Sequence, residues 1–362
     1  MACSDFDGQV VRHDDEVAAL AANFVCVRIQ SMNGVDLNLF QFERDLTFMA
    51  FFMNNRDGVY TRYGGREDGD AESHLTKTSL LRIMDEVLRR HEAGEAPVEQ
   101  PITSGQPPRT PESIPQLKPM LARRREQCIH CHDVKAAELR GLQELGTFRR
   151  ELIFTYPMPF TLGLDIDPDH QQGVRSVQAG SPAANAGVMA GDTITRVGDR
   201  RVLTVGDMAR VLEQLQAETK LPLELSRNGE FVKTTLTLSP SWKQTADPSW
   251  RPSIELAGPN LGFWAKQLSE PEKQAANLPA DALALKVTFL FPNHPTPQEA
   301  GLRLGDVLIE LDGRRNAWTT RQMHAYAQMN HEFGDKVPAV IQRNGKKHNI
   351  IFTFYKFNLD PK

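Results

Sequence analysis

A chain of 362 residues, 40% apolar and 24% charged, with a formal charge of −4, has the composition of an ordinary globular protein of two to four domains. Acids and bases are mixed along its whole length, so no basic stripe exists to hold a phosphate backbone, and nucleic acid is excluded as a partner. No stretch approaches the roughly 20 apolar residues that span a bilayer, so no transmembrane segment is expected, and the opening MACSDFDGQVVRHDDEV is acidic where a signal peptide needs a basic end and an apolar run.

The pattern predicts a helix over 14–22 (DDEVAALAA), a buried strand FVCVRI, an irregular stretch, and a second strand LTFMAFFM. The turn NNRDG, with Arg56, Asp57 and Gly58 supplying hairpin chemistry, leads into a third strand VYTRYGG. A helix SLLRIMDEVLRRH places Leu80, Leu81, Ile83, Met84, Val87 and Leu88 on one face and ends in basic residues that suit a helix C-terminus. Residues 1–91 therefore read as an α/β domain. Residues 92–116, rich in Pro and Glu, read as a semi-stiff linker. A helical segment over 117–155 carries the close cysteine pair, and a β-rich region follows.

That region holds an internal repeat. Ala186-Gly187-Val188-Met189-Ala190-Gly191-Asp192-Thr193-Ile194 matches Ala300-Gly301-Leu302-Arg303-Leu304-Gly305-Asp306-Val307-Leu308. Each copy continues with a turn (Gly198-Asp199-Arg200 or Asp312-Gly313-Arg314), a helical stretch (TVGDMARVLEQL or TTRQMHAYAQM) and a hairpin (Arg227-Asn228-Gly229 or Arg343-Asn344-Gly345). Two copies mean two domains of one fold, over 156–240 and 257–357 with a linker at 241–256, and not a solenoid.

The repeat unit, through SPAANAGVMAGDTITRVGDRRV and PTPQEAGLRLGDVLIELDGRRN, resembles the PDZ domain in the bacterial arrangement of high-temperature-requirement proteases. The resemblance implies binding of extended segments or C-termini by strand addition. The carboxylate loop and strand would be Phe160, Thr161, Leu162, Gly163 and Leu164 in the first copy and Asn260, Leu261, Gly262 and Phe263 in the second. The groove helices would carry Val205, Met208, Val211 and Leu212, and Met323 with Tyr326. Either groove could instead be closed or self-occupied, and the insertion KQLSEPEKQAANLPADALAL singles out the second. There is no Gly-x-Ser-Gly-Gly context and no Ser, His and Asp set in chain order, so a peptidase reading is poor.

The N-terminal segment resembles the thioredoxin-like fold, without its redox cysteine pair: Cys3 sits near one of those positions, and Leu46-Thr47 replaces the usual cis-proline. Cys26, in the apolar FVCVRI, is expected as a buried thiol, with a redox role as the sharper reading. Taken together, GVDLNLF, FFMNNRDGVYTRYGGR and QCIHCH resemble a bacterial family described as thioredoxin-like/PDZ-domain (seleno)proteins. The fold class expected is multidomain α/β plus β-rich: a thioredoxin-like domain, a short helical CxxCH segment and two PDZ-like, partly open β-barrels.

Cys128, Cys131 and His132 have the spacing of covalent haem attachment, two thiols for the vinyl groups and an adjacent imidazole for the iron. The distal position would be taken by Met120 or Met158, or be left open. A redox dithiol favoured by Arg123, Arg124 and Arg125, a zinc site joined by His130, and no function stay open beside haem. The expectation is an extracytoplasmic, non-hydrolytic scaffold with one covalent haem c, an electron-transfer partner and peptide partners. The alternatives are a thiol oxidoreductase using Cys128 and Cys131 or Cys26, and a PDZ adaptor without haem.

Overall fold

The computed structural model describes residues 6–100, 107–122, 128–216, 218–245, 247–255 and 258–355; Cys3 and Arg123 to Arg125 lie outside them. Along the chain come α1 (Asp15–Ala21), β1 (Ala50–Met53), β2 (Val59–Tyr63), α2 (Lys77–Glu92), α3 (Leu117–Leu121) and α4 (Cys131–Glu144). Next are β3 (Leu164–Ile166), β4 (Val174–Val177), α5 (Pro182–Asn185), β5 (Thr193–Val197), β6 (Arg200–Arg201), α6 (Val205–Glu213), β7 (Thr219–Arg227) and β8 (Glu230–Leu238). The last third carries β9 (Phe263–Gln267), α7 (Glu270–Ala275), β10 (Leu285–Leu290), α8 (Pro295–Glu299), β11 (Val307–Leu311), α9 (Thr320–Asn330), β12 (Lys336–Arg343) and β13 (Lys346–Thr353). These elements form two compact units, Met1–Ser113 with Phe154–Ala246, and Ile114–Ile153 with Asp247–Lys362.

In the first unit the sheets are β1-β2, β3-β4 and β6-β5-β7-β8, all antiparallel. Helix α2 is capped by Thr76, whose side chain accepts from the Ser79 amide, and it buries Leu80, Ile83, Met84 and Val87. Each of these apolar side chains contributes roughly 1.5–3 kcal/mol by leaving water. They pack with Phe6, Val17, Tyr60, Tyr63 and Leu203. A second core gathers Leu164, Ile166, Ile194, Met208, Leu212, Leu223 and Leu236 around the β-rich part.

Helix α6 joins these parts. Its buried Asp207 accepts from Thr61 Oγ1 at 2.6 Å, the Arg62 amide at 3.0 Å and the Leu203 amide at 3.0 Å. Thr204 donates its hydroxyl to the Arg62 carbonyl. The approach is so close that a Cβ on Gly206 would sit 2.5 Å from the Arg62 carbonyl oxygen, so only glycine fits there.

Several expectations for this region are corrected. FVCVRI forms no strand; Phe24 is half-buried and the rest of the run is irregular and exposed, with Val25 95% and Val27 80% accessible. Only Ala50–Met53 of LTFMAFFM is strand, paired with β2 alone. The hairpin turn does form, with Asn54 Oδ1 accepting from the amides of Arg56 and Gly58 at 2.9 Å. A two-stranded hairpin with two helices is not a thioredoxin sheet, and among the described residues no closed barrel exists; the chain is mixed α/β with open, β-rich sheets. The segment expected as a linker is docked over part of its length. Val59 and Glu99 exchange backbone hydrogen bonds of 2.8 and 3.2 Å, and Leu37 donates to the Arg109 carbonyl at 2.7 Å.

The second unit is built on one antiparallel sheet in the order β13-β12-β11-β10-β9. Leu261, Phe263, Leu285, Met323, Ile341 and Phe352 form its core. Helix α4 begins with a reciprocal cap in which the His130 amide donates to Asp133 Oδ2 at 2.9 Å. Both long hairpins turn on Asn-Gly pairs with left-handed backbone, Asn228 and Gly229 at φ 52° and 85°, Asn344 and Gly345 at φ 50° and 74°, the pair that two-residue type I′ turns favour.

Candidate peptide-binding grooves

The first groove starts at a 3-10 turn, Pro159–Leu162, closed by Gly163 at φ 81°, whose amide donates to the Phe160 carbonyl at 2.9 Å. A Cβ on Gly163 would fall 2.1 Å from Ser181 Cβ, so the position demands glycine for both φ and space. Strand β3 leaves this loop and, among the described residues, pairs only with β4. Among the described residues its other edge has no strand partner, the condition for an added strand.

Phe160 and Thr161 are half-buried, whereas Leu162, Gly163 and Leu164 are buried. Met208 and Leu212 point into the core with Leu164 and Ile166. One turn of α6 separates Val205 from Ala209, and this stripe is covered from within the same unit. A Cβ on Gly65 would lie 2.5 Å from Val205 Cγ2, and Ala209 is buried with Leu46 and Met158. Sequence reading missed Ala209, Leu46 and Gly65; the four-residue step from Val205 was the available signal for Ala209.

The second groove is built differently. Strand β9 is the sheet edge, but α9 reaches its outer carbonyls. His324 Nε2 lies 3.1 Å from the Phe263 oxygen, and the Thr320 hydroxyl donates to the Ala265 oxygen. Burial holds His324 down to about 4, so the ring is neutral and Nε2 carries the donated proton. Leu261, Phe263 and Met323 are fully buried core side chains. Asn260 Oδ1 accepts from the Gly262 amide at 2.7 Å, and a Cβ on Gly262 would meet the His294 ring at 2.5 Å.

Around the CxxCH motif, Cys131 is the first residue of α4, half-buried, and Cys128 is exposed just before it. The His130 and His132 rings stack in parallel, 5.4 Å apart and 1° between planes, which places a second imidazole against one face of His132. Met120 is half-buried. Met158 is buried with Leu46 and Ala209 in an apolar cluster of the first unit. Among the described residues no three His, Cys, Asp or Glu side chains converge to hold a metal ion. Cys26, expected as a buried thiol, is exposed.

The PDZ domain family matches residues 161–238. The loop, β3, α6 and the β7–β8 hairpin just described are thus a PDZ domain, a module that binds extended peptide segments. The serine protease Do-like HtrA of Lactococcus lactis subsp. cremoris is 40% identical over 74 residues, 20% of this chain and 17% of that protein. The zinc metalloprotease Rip1 of Mycolicibacterium smegmatis is 35% identical over 72 residues, 20% of this chain and 17% of that protein. A probable periplasmic serine endoprotease, DegP-like, of Halomonas elongata is 26% identical over 165 residues, 45% of this chain and 31% of that protein. The chain therefore spans between about a sixth and a third of these relatives.

These findings correct the expected function. The HtrA and DegP-like relatives are serine proteases, which overturns the reading as a non-proteolytic haem scaffold with an electron-transfer partner and favours the peptide-binding alternative. No helix among the described residues is long and apolar enough to cross a membrane.

Proposed function

We propose that this protein is a peptide-binding adaptor whose PDZ domain at 161–238 takes an extended segment as an added strand on β3. The observation that carries this reading is the unpaired edge of β3 leaving the Gly163 turn within the matched domain. Backbone hydrogen bonds along β3 would supply most of the affinity, and the amides of the Phe160–Gly163 loop would favour a terminal carboxylate. The second groove contributes less, because its outer carbonyls at Phe263 and Ala265 already accept from α9. The relatives' proteolysis belongs to proteins of which this chain covers less than a third, and it is not part of the proposal. An extracytoplasmic location fits the DegP-like relative's description as periplasmic.

The test is fluorescence polarisation of the full chain with a library of labelled peptides ending in apolar residues and a free carboxylate. Saturable binding is expected, weakened by C-terminal amidation and by Thr161→Glu, which sets a negative charge in the half-buried loop. Absence of saturable binding across the library, or binding insensitive to Thr161→Glu, would refute it.

A further inference from the structure

The first unit contains a cleft of about 720 Å³ between the chain at 95–100, the β5–β6 turn and the C-terminal half of α6, lined by Glu95, Glu99, Arg196, Arg200, Arg201 and Arg210 among others. A volume of this order suits a small-molecule ligand. Four arginines and three carboxylates line the cleft, Asp199 being the third, and two further arginines stand against its acids: Arg62 on Glu99 and Arg90 on Glu95. So many guanidinium groups around one space make it a field for negative charge.

The geometry shows where this charge is spent. Glu99 is paired with Arg62, with Arg210 Nη2 at 2.9 Å and with Arg200 Nη1 at 3.5 Å. Arg201 Nη1 reaches Glu95 Oε2 at 2.6 Å. Burial works to raise the Glu99 carboxyl, yet the Arg210 hydrogen bond and the Arg62 and Arg210 charges outweigh it and hold it down to about 2. The cations are not saturated, however. Arg210 is 8% exposed and its Nε is buried with no hydrogen-bond partner, although guanidinium groups present donors in a rigid fork that a planar oxyanion meets two at a time.

We infer that this cleft binds a small molecule carrying a carboxylate or phosphate group, with Arg210 at its base and Arg196, Arg200 and Arg201 at its mouth. Glu95 and Glu99 act as internal competitors for the same guanidinium groups, and a ligand oxyanion replaces one of them. The site lies on residues distinct from the Phe160–Gly163 loop, so it stands apart from the peptide-binding reading.

Calorimetric titration of the full chain with inorganic phosphate and with succinate, at ionic strength matched by sodium chloride, tests the inference. Saturable one-site binding is expected for at least one anion; phosphate alone identifies a phosphoryl ligand, and succinate alone a carboxylate. The double variant Arg200→Gln/Arg201→Gln, the first half-buried and the second exposed, should weaken binding at least about tenfold. Glu95→Gln, which removes a competitor, should tighten it about threefold or more. Non-saturable heats with both anions, or an affinity unchanged in the double variant, would overturn the site.

Discussion

Arg227, in the β7–β8 hairpin, grips Asp192 with a two-pronged fork, Nε to Oδ1 at 2.7 Å and Nη2 to Oδ2 at 2.8 Å. The second unit repeats it: Arg343 Nε reaches Asp306 Oδ1 at 2.7 Å and Nη2 reaches Oδ2 at 2.6 Å. In both copies the same guanidinium also donates to a carbonyl, Gly187 or Gly301, at 2.8 Å. The Gly-Asp string and the Arg-Asn-Gly turn of the repeat are thus two halves of one clamp. Asp192→Ala should leave the Met189 amide and the Arg227 fork without their acceptor. A loss of about 1–3 kcal/mol in urea denaturation is expected, and Asp306→Ala should behave alike.

Gly206 offers a steric test of how α6 is seated on β2. Gly206→Ala would force its methyl against the Arg62 carbonyl, 2.5 Å from the ideal Cβ position. Overpacking of this kind costs about 1–3 kcal/mol. Differential scanning calorimetry should show a lowered transition for the first unit, and an unchanged one would mean that α6 can slide away from Arg62 without loss.

The covered stripe of α6 predicts a trade between stability and binding. Leu46 is 9% exposed and packs on Ala209 and Met158. Leu46→Ala should cost about 2 kcal/mol while increasing affinity for an added peptide severalfold, because less side chain must be displaced. Calorimetry and polarisation on the same variant check both halves.

Acid should weaken the second unit through its buried histidines. Burial first, and then the Arg140 charge, hold His294 down to about 4, and burial likewise holds His324 to about 4. Both folded values lie below the ordinary 6.5, so the unfolded state binds more protons between pH 6.5 and 4. The neutral rings' contribution is therefore fully present above 6.5 and is lost as pH falls toward 4. The midpoint of urea denaturation should fall across that window, and His324→Gln should flatten the decline.

Cys26 gives a chemical check on the first segment. Its exposed thiol should react with maleimide in the native state as fast as in urea. A protected thiol would mean that Phe24 to Ile29 is covered in solution.

Much of the architecture was legible where local chemistry dictates it. Asn-Gly pairs fixed both long hairpins, the apolar stripe of α2 and its basic end fixed that helix, and glycines at 163 and 262 marked turns. FVCVRI misled because a β-branched, apolar run reads as buried, and only the tertiary structure shows that Phe24 alone of the six is half-buried while Val25 to Ile29 are exposed. The bonds from Asp207 to Thr61 and Arg62 span more than a hundred residues, beyond any local pattern. The same holds for Leu46 on Ala209 and for the arginines assembled around Glu99. The CxxCH motif lies outside the domain matched at 161–238.

The exposed stretch from Val25 to Ile29 has a colloidal consequence. Five exposed residues rich in β-branched side chains, without proline, form the type of segment that seeds intermolecular sheets. Its single charge, Arg28, is engaged by Asp7, which blunts the residue that would otherwise repel a second strand. Shelf life at high concentration should therefore depend on position 28, and replacing Val27 with lysine should keep the protein dispersed.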